Sequence, residues 1–230
     1  MMISGLQKLT LLDFPGRTAC TVFFYGCNLR CPFCHNAFLV TDHDDGQGFT
    51  EEEFFAFLES RRRLLDGVAI TGGEPMLQPG LHDFIYKIKE KGFAVKLDTN
   101  GTFPEKLRAL SGEGLLDYVA VDIKNSPEKY PLATGVASPD VDAVKQTVDF
   151  LKNGSVDYEF RTTLVKGLHT PDDVAAVGKW LCGAKRWFLQ AFKDSGNLIS
   201  PGLEGFSYAE YTEMLDIARR FVTNAQLRGI

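Results

Sequence analysis

Three cysteines lie within eight residues of one another, a density found nowhere else in the sequence. Cys27, Cys31 and Cys34 are separated by three and by two residues. A loop with this spacing can turn three thiolates toward one point, and thiolates are ligands that soft metals and iron–sulfur clusters prefer. Three thiolates on a four-iron cluster leave one iron open to an exchangeable ligand. The pattern therefore suits catalysis on a bound small molecule.

Two other interpretations of the cysteine loop remain open. A structural zinc ion has four nitrogen or sulfur ligands, and His35 could complete such a set with the three cysteines. However, His35 directly follows Cys34, and adjacent residues rarely reach the same tetrahedron comfortably. The three thiols could also be incidental. Cys20 falls inside a predicted strand and Cys182 ends a predicted helix, so we expect both to be small buried hydrophobic residues.

The composition is typical of a globular protein. The chain has 230 residues, of which 44% are hydrophobic and 12% aromatic, enough to bury a sizeable core. We expect a single domain over residues 1–230. Residues 1–14 lack the pattern of a secretory signal, no apolar run reaches the roughly 18 residues of a membrane span, and the five cysteines are an odd number. These features predict a cytoplasmic protein with reduced thiols and no membrane association.

The charge distribution does not indicate nucleic-acid binding. Lys and Arg total 25 against 30 for Asp and Glu, and the net charge is −5. This balance provides no global positive field to attract phosphates. The basic run 61–63 falls near the end of a predicted helix, where cations suit the helix dipole. We therefore expect a solvated helix end there and no nucleic-acid partner.

Strand and helix patterns alternate along the chain. Short apolar, β-branched runs predict six strands, at 20–25, 68–71, 94–98, 118–123, 158–164 and 187–190. Helical spacing predicts helices at 50–65, 81–89, 104–110, 141–151, 171–181 and 208–222. Strands separated by helices imply a parallel sheet, because parallel neighbours need a crossover connection. Periodicity alone leaves an open doubly wound sheet and a partial barrel equally possible.

Polar or glycine-rich residues follow five of the six predicted strands. Both candidate folds place active-site loops at the carboxyl ends of parallel strands. The cysteine loop follows the first strand, and the other clusters are Gly72-Gly73-Glu74, Asp98-Thr99-Asn100, Asp122 with Lys124, and Gln190. This distribution predicts one shared site at that end of the sheet.

The motifs carry a resemblance to a known family. The segment 27–36, CNLRCPFCHN, resembles the signature loop of the radical S-adenosylmethionine superfamily. Within the superfamily, the chain most resembles the activating enzymes of glycyl-radical enzymes, and among these the activating protein of the anaerobic ribonucleoside-triphosphate reductase. The segments 3–16, 71–75, 98–101 and 122–124 extend the resemblance over nearly the whole chain.

The resemblance implies a fold, an activity and partners. The fold would be a partial parallel (β/α)6 barrel, an incomplete TIM-type barrel. An external donor such as flavodoxin or ferredoxin would reduce a four-iron, four-sulfur cluster held by the three cysteines. Reductive cleavage of S-adenosylmethionine would then yield methionine and a 5′-deoxyadenosyl radical, which would take a hydrogen atom from a glycine of the anaerobic ribonucleotide reductase.

Other functions remain open beside this one. The partner could be another glycyl-radical enzyme of the pyruvate formate-lyase type. A radical enzyme acting on a small molecule, such as a deazapurine precursor, would share every motif. A structural zinc-binding protein is the alternative from a different class, and it would be indifferent to the cofactor.

The resemblance also assigns residues to the methionine end of the cofactor. Gly72, Gly73 and Glu74 would hold the methionine amino group, because glycines permit close backbone approach and Glu74 can accept from an ammonium. Lys124 would pair with the methionine carboxylate. The simpler alternatives are a glycine turn that leads into a helix and a surface salt bridge between Lys124 and Asp122.

The remaining assignments concern a cation and the adenosine. Asp98, the Thr99 carbonyl and Asp122 would surround a monovalent cation, for which oxygen ligands are suited. Phe33 would lie over the adenine. Arg161 is the only charged residue in the run 160–165, and it either faces the pocket and meets a carboxylate or lies at a partly exposed edge.

One departure from the family pattern concerns the ribose. Activating enzymes of pyruvate formate-lyase carry a histidine after the last strand, whereas this chain has Phe192 and Lys193 there. The equivalent ribose contact is therefore in doubt. His43, His82 and His169 receive no role from the sequence.

Overall fold

A computed structural model describes residues 2–41, 48–194 and 196–230. It has an α/β fold in which the strands follow chain order in one eight-stranded, mostly parallel sheet that is not closed. The predicted fold class is therefore confirmed. His43 lies outside the described residues. Among the described residues, no helix is both long and apolar enough to cross a membrane.

Each strand is followed by a loop and, in most cases, by a helix. The strands are β1 (Gly5–Thr10), β2 (Ala19–Phe24), β3 (Gly67–Gly72), β4 (Ala94–Thr99), β5 (Tyr118–Asp122), β6 (Asp157–Leu164), β7 (Trp187–Ala191) and β8 (Ala225–Arg228). The helices are α1 (Ala37–Thr41), α2 (Glu51–Ser60), α3 (Leu81–Glu90), α4 (Pro104–Gly112), α5 (Tyr130–Thr134), α6 (Val141–Asn153), α7 (Pro171–Trp180) and α8 (Tyr208–Arg219). Two short 3₁₀ turns cover Pro75–Leu77 and Pro127–Lys129.

The described chain forms two compact units. The first comprises Met1–Asn28, Phe38–Thr99 and Glu105–Val119, and the second comprises Leu29–Ala37, Asn100–Pro104 and Ala120–Ile230. Both units contain elements from distant parts of the sequence. The prediction of a single domain over residues 1–230 stays a prediction.

Parallel pairing in the first unit brings the cysteine loop and the Gly72-Gly73-Glu74 segment side by side. Strand β1 pairs antiparallel with β2, whereas β2, β3 and β4 are parallel neighbours. The register places Phe24 opposite Gly72, so β2 and β3 end at the same level. The cysteine loop that follows β2 therefore begins beside the glycine segment that ends β3.

Aromatic packing holds the helices of the first unit against its sheet. The fully buried rings of Phe24 on β2 and Phe84 on α3 meet edge to face, with centroids 5.7 Å apart. Phe54 on α2 packs on Phe84 at 5.1 Å. Aromatic pairs in such arrangements add to the stabilisation from burial alone. Helix α3 thus packs against the strand β2, whose end leads into the cysteine loop, and α2 packs against α3.

The second unit contains the parallel series from β6 to β8. Strand β7 pairs parallel with both β6 and β8. The Ile123 N–H, just past β5, donates to the Arg161 carbonyl on β6 at 2.8 Å. Trp187 is fully buried on β7, and its indole N–H donates to Thr162 on β6 at 3.0 Å. These contacts position Arg161 beside the end of β5.

The six predicted strands are confirmed, but the chain forms two more. β1 was missed because its sequence, GLQKLT, offers neither an apolar run nor strict alternation, and only its last residue, Thr10, is buried. β8 was missed because it has only four residues, and residues 220–224 separate it from the end of α8. The prediction that the helix beginning after residue 50 extends to 65 is wrong, because α2 ends at Ser60 and residues 61–64 form an exposed turn.

Candidate active site

Cys27 lies in a loop that contacts the glycine segment through the backbone. The loop begins at Gly26, which has φ +87° and whose N–H donates to the Leu39 carbonyl at 2.8 Å. Its carbonyl accepts from the Glu74 N–H at 2.7 Å. A Cβ on Gly73 would lie 3.4 Å from the Cys27 Cβ and 2.0 Å from the Gly26 oxygen. The two loops therefore pack together with no space for a side chain.

Gly72 is required for a different reason. Its φ of +121° lies in a region that favours glycine, and a Cβ there would come within 2.4 Å of the Phe24 backbone nitrogen and oxygen. The sequence predicted that these glycines allow close approach to a ligand. The structure shows their close approach to the chain's own backbone at Phe24 and Gly26, and their approach to a ligand stays a prediction.

Glu74 is a buried carboxylate with a fixed orientation. Its side chain has no solvent exposure, and the Thr99 hydroxyl lies 3.0 Å from both carboxylate oxygens. The Met76 N–H donates to the same carboxylate at 3.1 Å. Hydrogen bonds to an ionised acceptor are stronger than those between neutral groups. Thr99 at the end of β4 thus orients the group predicted to accept from an ammonium.

Asp98 forms an ion pair with a lysine on the same strand. Lys96, two residues earlier on β4, is almost completely buried and forms an ion pair with Asp98. Alternation along the strand places both side chains on the same face. Because Lys96 supplies a positive charge to Asp98, charge balance does not by itself demand a metal ion there. The predicted monovalent cation stays a prediction.

The second unit holds Cys31 and Cys34. The Cys34 N–H donates to the Cys31 carbonyl at 3.0 Å, which closes a turn around both thiols. The preceding Arg30 N–H donates to the Thr134 carbonyl on α5 at 2.8 Å. A Cβ on Gly135 would lie 2.2 Å from the Arg30 oxygen. The end of α5, which the sequence did not single out, therefore secures this part of the cysteine loop.

Asp122 lies between two cations at the end of β5. Arg161 Nε donates to Oδ1 at 2.8 Å, and Lys124 Nζ donates to Oδ2 at 3.2 Å. The predicted same-side placement of Asp122 and Lys124 is thus seen, and Arg161 contacts a carboxylate, that of Asp122. The salt bridge between Asp122 and Lys124 that the sequence left as an alternative is present, and the side chains of Lys124 and Arg161 are 18% and 14% exposed.

The charges in this cluster shift one another's pKa values. Burial would raise the pKa of the Asp122 carboxyl, but Arg161 and Lys124 outweigh it and hold that pKa below its usual range. Burial would lower the pKa of Lys124, whereas the charges of Asp122, Cys31 and Cys34 raise it above its usual range. Lys124 is therefore a positively charged group close to the thiols of Cys31 and Cys34.

The sequence missed two residues that hold the Lys124 backbone. The Tyr130 hydroxyl accepts from the Lys124 N–H at 3.3 Å, and His169 Nε2 lies 2.8 Å from the Lys124 carbonyl. Phe33, which lies between Cys31 and Cys34, is buried, and its ring packs edge to face on His169 with centroids 6.1 Å apart. No local pattern marks either residue: Tyr130 follows Lys124 by six residues but matches no motif, and His169 lies 45 residues from Lys124.

The His35 side chain contacts residues that follow β7. Its Nε2 lies 2.8 Å from the Lys193 carbonyl, and its ring packs on the buried Phe192 with centroids 5.7 Å apart. Because a carbonyl only accepts, Nε2 carries the proton in this arrangement. The zinc alternative that used His35 would therefore require coordination through Nδ1. The same geometry shows that Phe192 and Lys193 contact the residue that follows the cysteine loop.

The two remaining cysteines differ from each other. Cys20 is buried as expected, and burial raises the pKa of its thiol to about 12. The prediction that Cys182 is also buried is wrong, because it lies in an exposed turn after α7. In the described part of the chain, no three His, Cys, Asp or Glu side chains form a group that could hold a single metal ion.

The predicted site residues divide between the two units. The first carries Cys27, Gly72, Gly73, Glu74, Asp98 and Thr99, and the second carries Phe33, Cys31, Cys34, Asp122, Lys124 and Arg161. The donor set fits an iron–sulfur cluster, since it consists of soft thiols with a lysine beside two of them. A cubane cluster binds each thiolate at a different iron, so its ligands do not converge on one ion.

Comparison with known proteins decides the family. The model of the Radical SAM superfamily matches residues 21–181. The chain belongs to the radical SAM superfamily. This membership implies a four-iron, four-sulfur cluster and S-adenosylmethionine as its cofactors, and it makes the protein an enzyme.

Relatives within the superfamily have several activities. A Methanocaldococcus jannaschii protein provisionally named a glycyl-radical enzyme activating enzyme is 33% identical over 239 residues, covering 100% of this chain and 96% of its own. The pyruvate formate-lyase 1-activating enzyme of Escherichia coli K12 is 30% identical over 184 residues, 75% of this chain and 71% of its own. A 7-carboxy-7-deazaguanine synthase of Methanothermobacter thermautotrophicus is 32% identical over 151 residues, 64% of this chain and 58% of its own.

A solved structure supports the fold. The crystal structure of QueE from Escherichia coli superposes with a TM-score of 0.59 at 17% identity, covering 100% of this radical SAM chain and 94% of that protein. At this identity the likeness concerns the fold alone.

The packing of Gly73 gives a first prediction. Gly73→Ala places a methyl group against the Gly26 backbone and breaks the bond from the Glu74 N–H, so we expect a loss of about 1–3 kcal/mol in the free energy of unfolding. Gly112→Ala is the matched control, because Gly112 ends α4 with open space around it, and it should stabilise by about 0.4–1 kcal/mol. Urea denaturation of both variants measures the difference. Equal stabilities would contradict the packing described for Gly73.

The Asp122 cluster gives a prediction for acidic pH. The folded-state pKa of Asp122 is depressed, so its stabilisation is present above the unfolded-state value of about 4 and is lost as pH falls below it. Wild type should therefore exceed Asp122→Asn in stability by on the order of 1 kcal/mol at neutral pH, a figure that allows for partial exposure. This gap should close between about pH 5 and pH 2.

The control for this pH series is Asp142→Asn. Asp142 is an exposed carboxylate on α6 that pairs with Lys145. The free energy of unfolding of the Asp142→Asn variant should stay close to that of wild type throughout the pH range, because exposed ion pairs contribute little to stability. A gap between wild type and Asp122→Asn that does not depend on pH would contradict the role of the Asp122 charge.

Proposed function

We propose that this protein is an activase that cleaves S-adenosylmethionine reductively and generates a glycyl radical on a partner enzyme. The partner that we favour is the anaerobic ribonucleoside-triphosphate reductase. The electron donor would be a flavodoxin or ferredoxin, and the protein would act in the cytoplasm, where thiols stay reduced.

The observation that carries this proposal is the contact between the cysteine loop and the Gly-Gly-Glu segment. Cys27 and Glu74 belong to adjacent loops that share the hydrogen bond from the Glu74 N–H to the Gly26 carbonyl. A predicted cluster ligand and a predicted ligand of the methionine amino group are thereby held in one rigid substructure. Such an arrangement suits a cofactor that must bind next to a cluster.

When bound, the cluster supplies an electron to S-adenosylmethionine, which yields methionine and a 5′-deoxyadenosyl radical. In our proposal, Cys27, Cys31 and Cys34 hold the cluster. Glu74, oriented by Thr99, accepts from the methionine ammonium. Lys124 attracts the methionine carboxylate and Phe33 lies against the adenine.

The charges around Asp122 support the role of Lys124. Asp122, which also accepts from Arg161, holds the Lys124 ammonium in a defined position, and the negative charge of Asp122 favours its protonated form. A preorganised cation binds an anionic ligand without first having to be immobilised. Lys124 is therefore suited to a carboxylate even though Asp122 already pairs with it.

The choice of partner depends on sequence resemblance. The N-terminal segment 3–16 resembles the corresponding segment of enzymes that activate the anaerobic reductase. The similarity to the Methanocaldococcus jannaschii protein provisionally named an activating enzyme extends over the whole chain. Similarity to a pyruvate formate-lyase activating enzyme favours a second candidate partner of that type. The similarity to a deazaguanine synthase covers less of the chain, so a small-molecule substrate is a weaker candidate.

Reconstitution with two partner enzymes tests the proposal. The protein is loaded anaerobically with iron and sulfide, reduced with dithionite and assayed for 5′-deoxyadenosine with the reductase, with pyruvate formate-lyase or alone. We expect cofactor cleavage in all three, and a glycyl radical in the electron paramagnetic resonance spectrum only with the reductase. A reductase whose radical glycine is replaced by alanine is the control and should give no such signal.

Other outcomes separate the alternatives. A glycyl radical on pyruvate formate-lyase alone would overturn the reductase as partner and keep the activase function. Cleavage without a radical on either partner would overturn both as partners. Transfer of the hydrogen from a deazapurine precursor would establish the small-molecule alternative.

A further inference from the structure

The backbone of Lys124 is held by side chains after β5 ends. Its N–H donates to Tyr130 at 3.3 Å, and its carbonyl accepts from His169 Nε2 at 2.8 Å. At this residue, hydrogen bonds to side chains thus take the place of the backbone hydrogen bonds between strands. The direction in which the Lys124 side chain leaves the sheet therefore depends on these two bonds.

The His169 ring has a defined tautomer. Because a carbonyl cannot donate, Nε2 must carry the proton that bonds to Lys124. Nδ1 accepts from the Val165 N–H at 3.1 Å, with the Val165 carbonyl a further 3.3 Å contact. Burial lowers the pKa of His169, which keeps the ring neutral and Nδ1 free to accept. The ring is therefore fixed by hydrogen bonds on both sides.

The same ring contacts Phe33. The two rings pack edge to face at 69°, with centroids 6.1 Å apart. His169 and Phe33 are 3% and 4% exposed, so this contact is within the packed interior of the second unit. One imidazole thus touches two residues to which we assign opposite ends of the cofactor, Lys124 at the carboxylate and Phe33 at the adenine.

The loop that carries His169 is itself anchored. The Leu168 carbonyl accepts from the Asn125 amide at 2.9 Å, next to the Lys124 bond. Thr170 begins α7 with a capping box that it forms with Asp173. Asp173 also pairs with Lys129 at 2.8 Å. The segment 165–170 is therefore held against residues 124–129 at several points, and the position of the His169 ring is well determined.

We propose that His169 is a positioning residue that sets the Lys124 backbone and the Phe33 ring in the arrangement that binds S-adenosylmethionine. This inference depends on the cofactor contacts proposed above for Lys124 and Phe33. His169 acts through these two residues and needs no contact of its own with the cofactor. Its essential group is the Nε2–H donor.

Two substitutions separate the donor from the ring. His169→Phe keeps an aromatic ring against Phe33 and removes the donor to the Lys124 carbonyl. His169→Gln keeps an amide N–H at a similar reach from the backbone and removes the ring. His82→Phe is the matched control, because His82 is a half-exposed histidine on α3.

The readout is cofactor binding to the reconstituted, oxidised protein, measured by isothermal titration calorimetry. We expect His169→Phe to weaken binding of S-adenosylmethionine about tenfold, the size of one well-placed hydrogen bond. We expect His169→Gln to stay within about threefold of wild type. The control should match wild type, and iron content should be equal in all four proteins.

A spectroscopic readout complements the binding constants. The electron paramagnetic resonance spectrum of the reduced cluster should change on addition of S-adenosylmethionine in wild type and His169→Gln, and change less in His169→Phe at the same concentration. Wild-type affinity in His169→Phe would overturn the proposal, as would equal weakening in both variants. Neither readout uses a partner enzyme, so failure to activate a reductase leaves this test unaffected.

Discussion

The hydrogen bond from the Glu74 N–H to the Gly26 carbonyl is the constraint on which the part of the proposed cofactor site in the first unit depends. It forms because β2 and β3 are parallel and end at the same level, with Phe24 opposite Gly72. Their loops then leave the sheet side by side, at a separation that only glycine at position 73 allows. Parallel pairing, crossover packing and two glycines therefore combine to place the loop of Cys27 beside the segment that carries the buried Glu74 carboxylate.

In the second unit, paired charges position the residues of the proposed site. Asp122 accepts from Arg161 and Lys124, and the positive charge of Lys124 lies near Cys31 and Cys34. Partly buried charges are costly unless they are paired, so the cluster stays ordered only as a whole. The resulting site has a cation whose position is fixed before any ligand arrives. Preorganisation of this kind is what a radical reaction needs, because a loosely held cofactor would react with the wrong hydrogen.

The sequence predicted the parts of this site that are local in the chain. The spacing of the cysteines, the glycine pair and the alternation of Asp122 and Lys124 are visible within a few residues, and so are the six central strands. It did not predict the roles of Lys96 and His169, or the exposure of Cys182. In the sequence, Lys96 is a polar residue that interrupts an apolar strand. The two residues that His169 is proposed to position, Lys124 and Phe33, lie 45 residues or more away from it. Such contacts depend on tertiary structure, which periodicity does not report.

In our proposal, Cys27, Cys31 and Cys34 hold the cluster, and Cys20 and Cys182 do not. The iron and sulfide content and the Mössbauer spectrum of five single Cys→Ala variants after anaerobic reconstitution test this assignment. We predict about four irons per chain in wild type, Cys20→Ala and Cys182→Ala, and loss of the four-iron signal in the Cys27, Cys31 and Cys34 variants. A full cluster in any of these three, or its loss in the exposed Cys182 variant, would contradict the account.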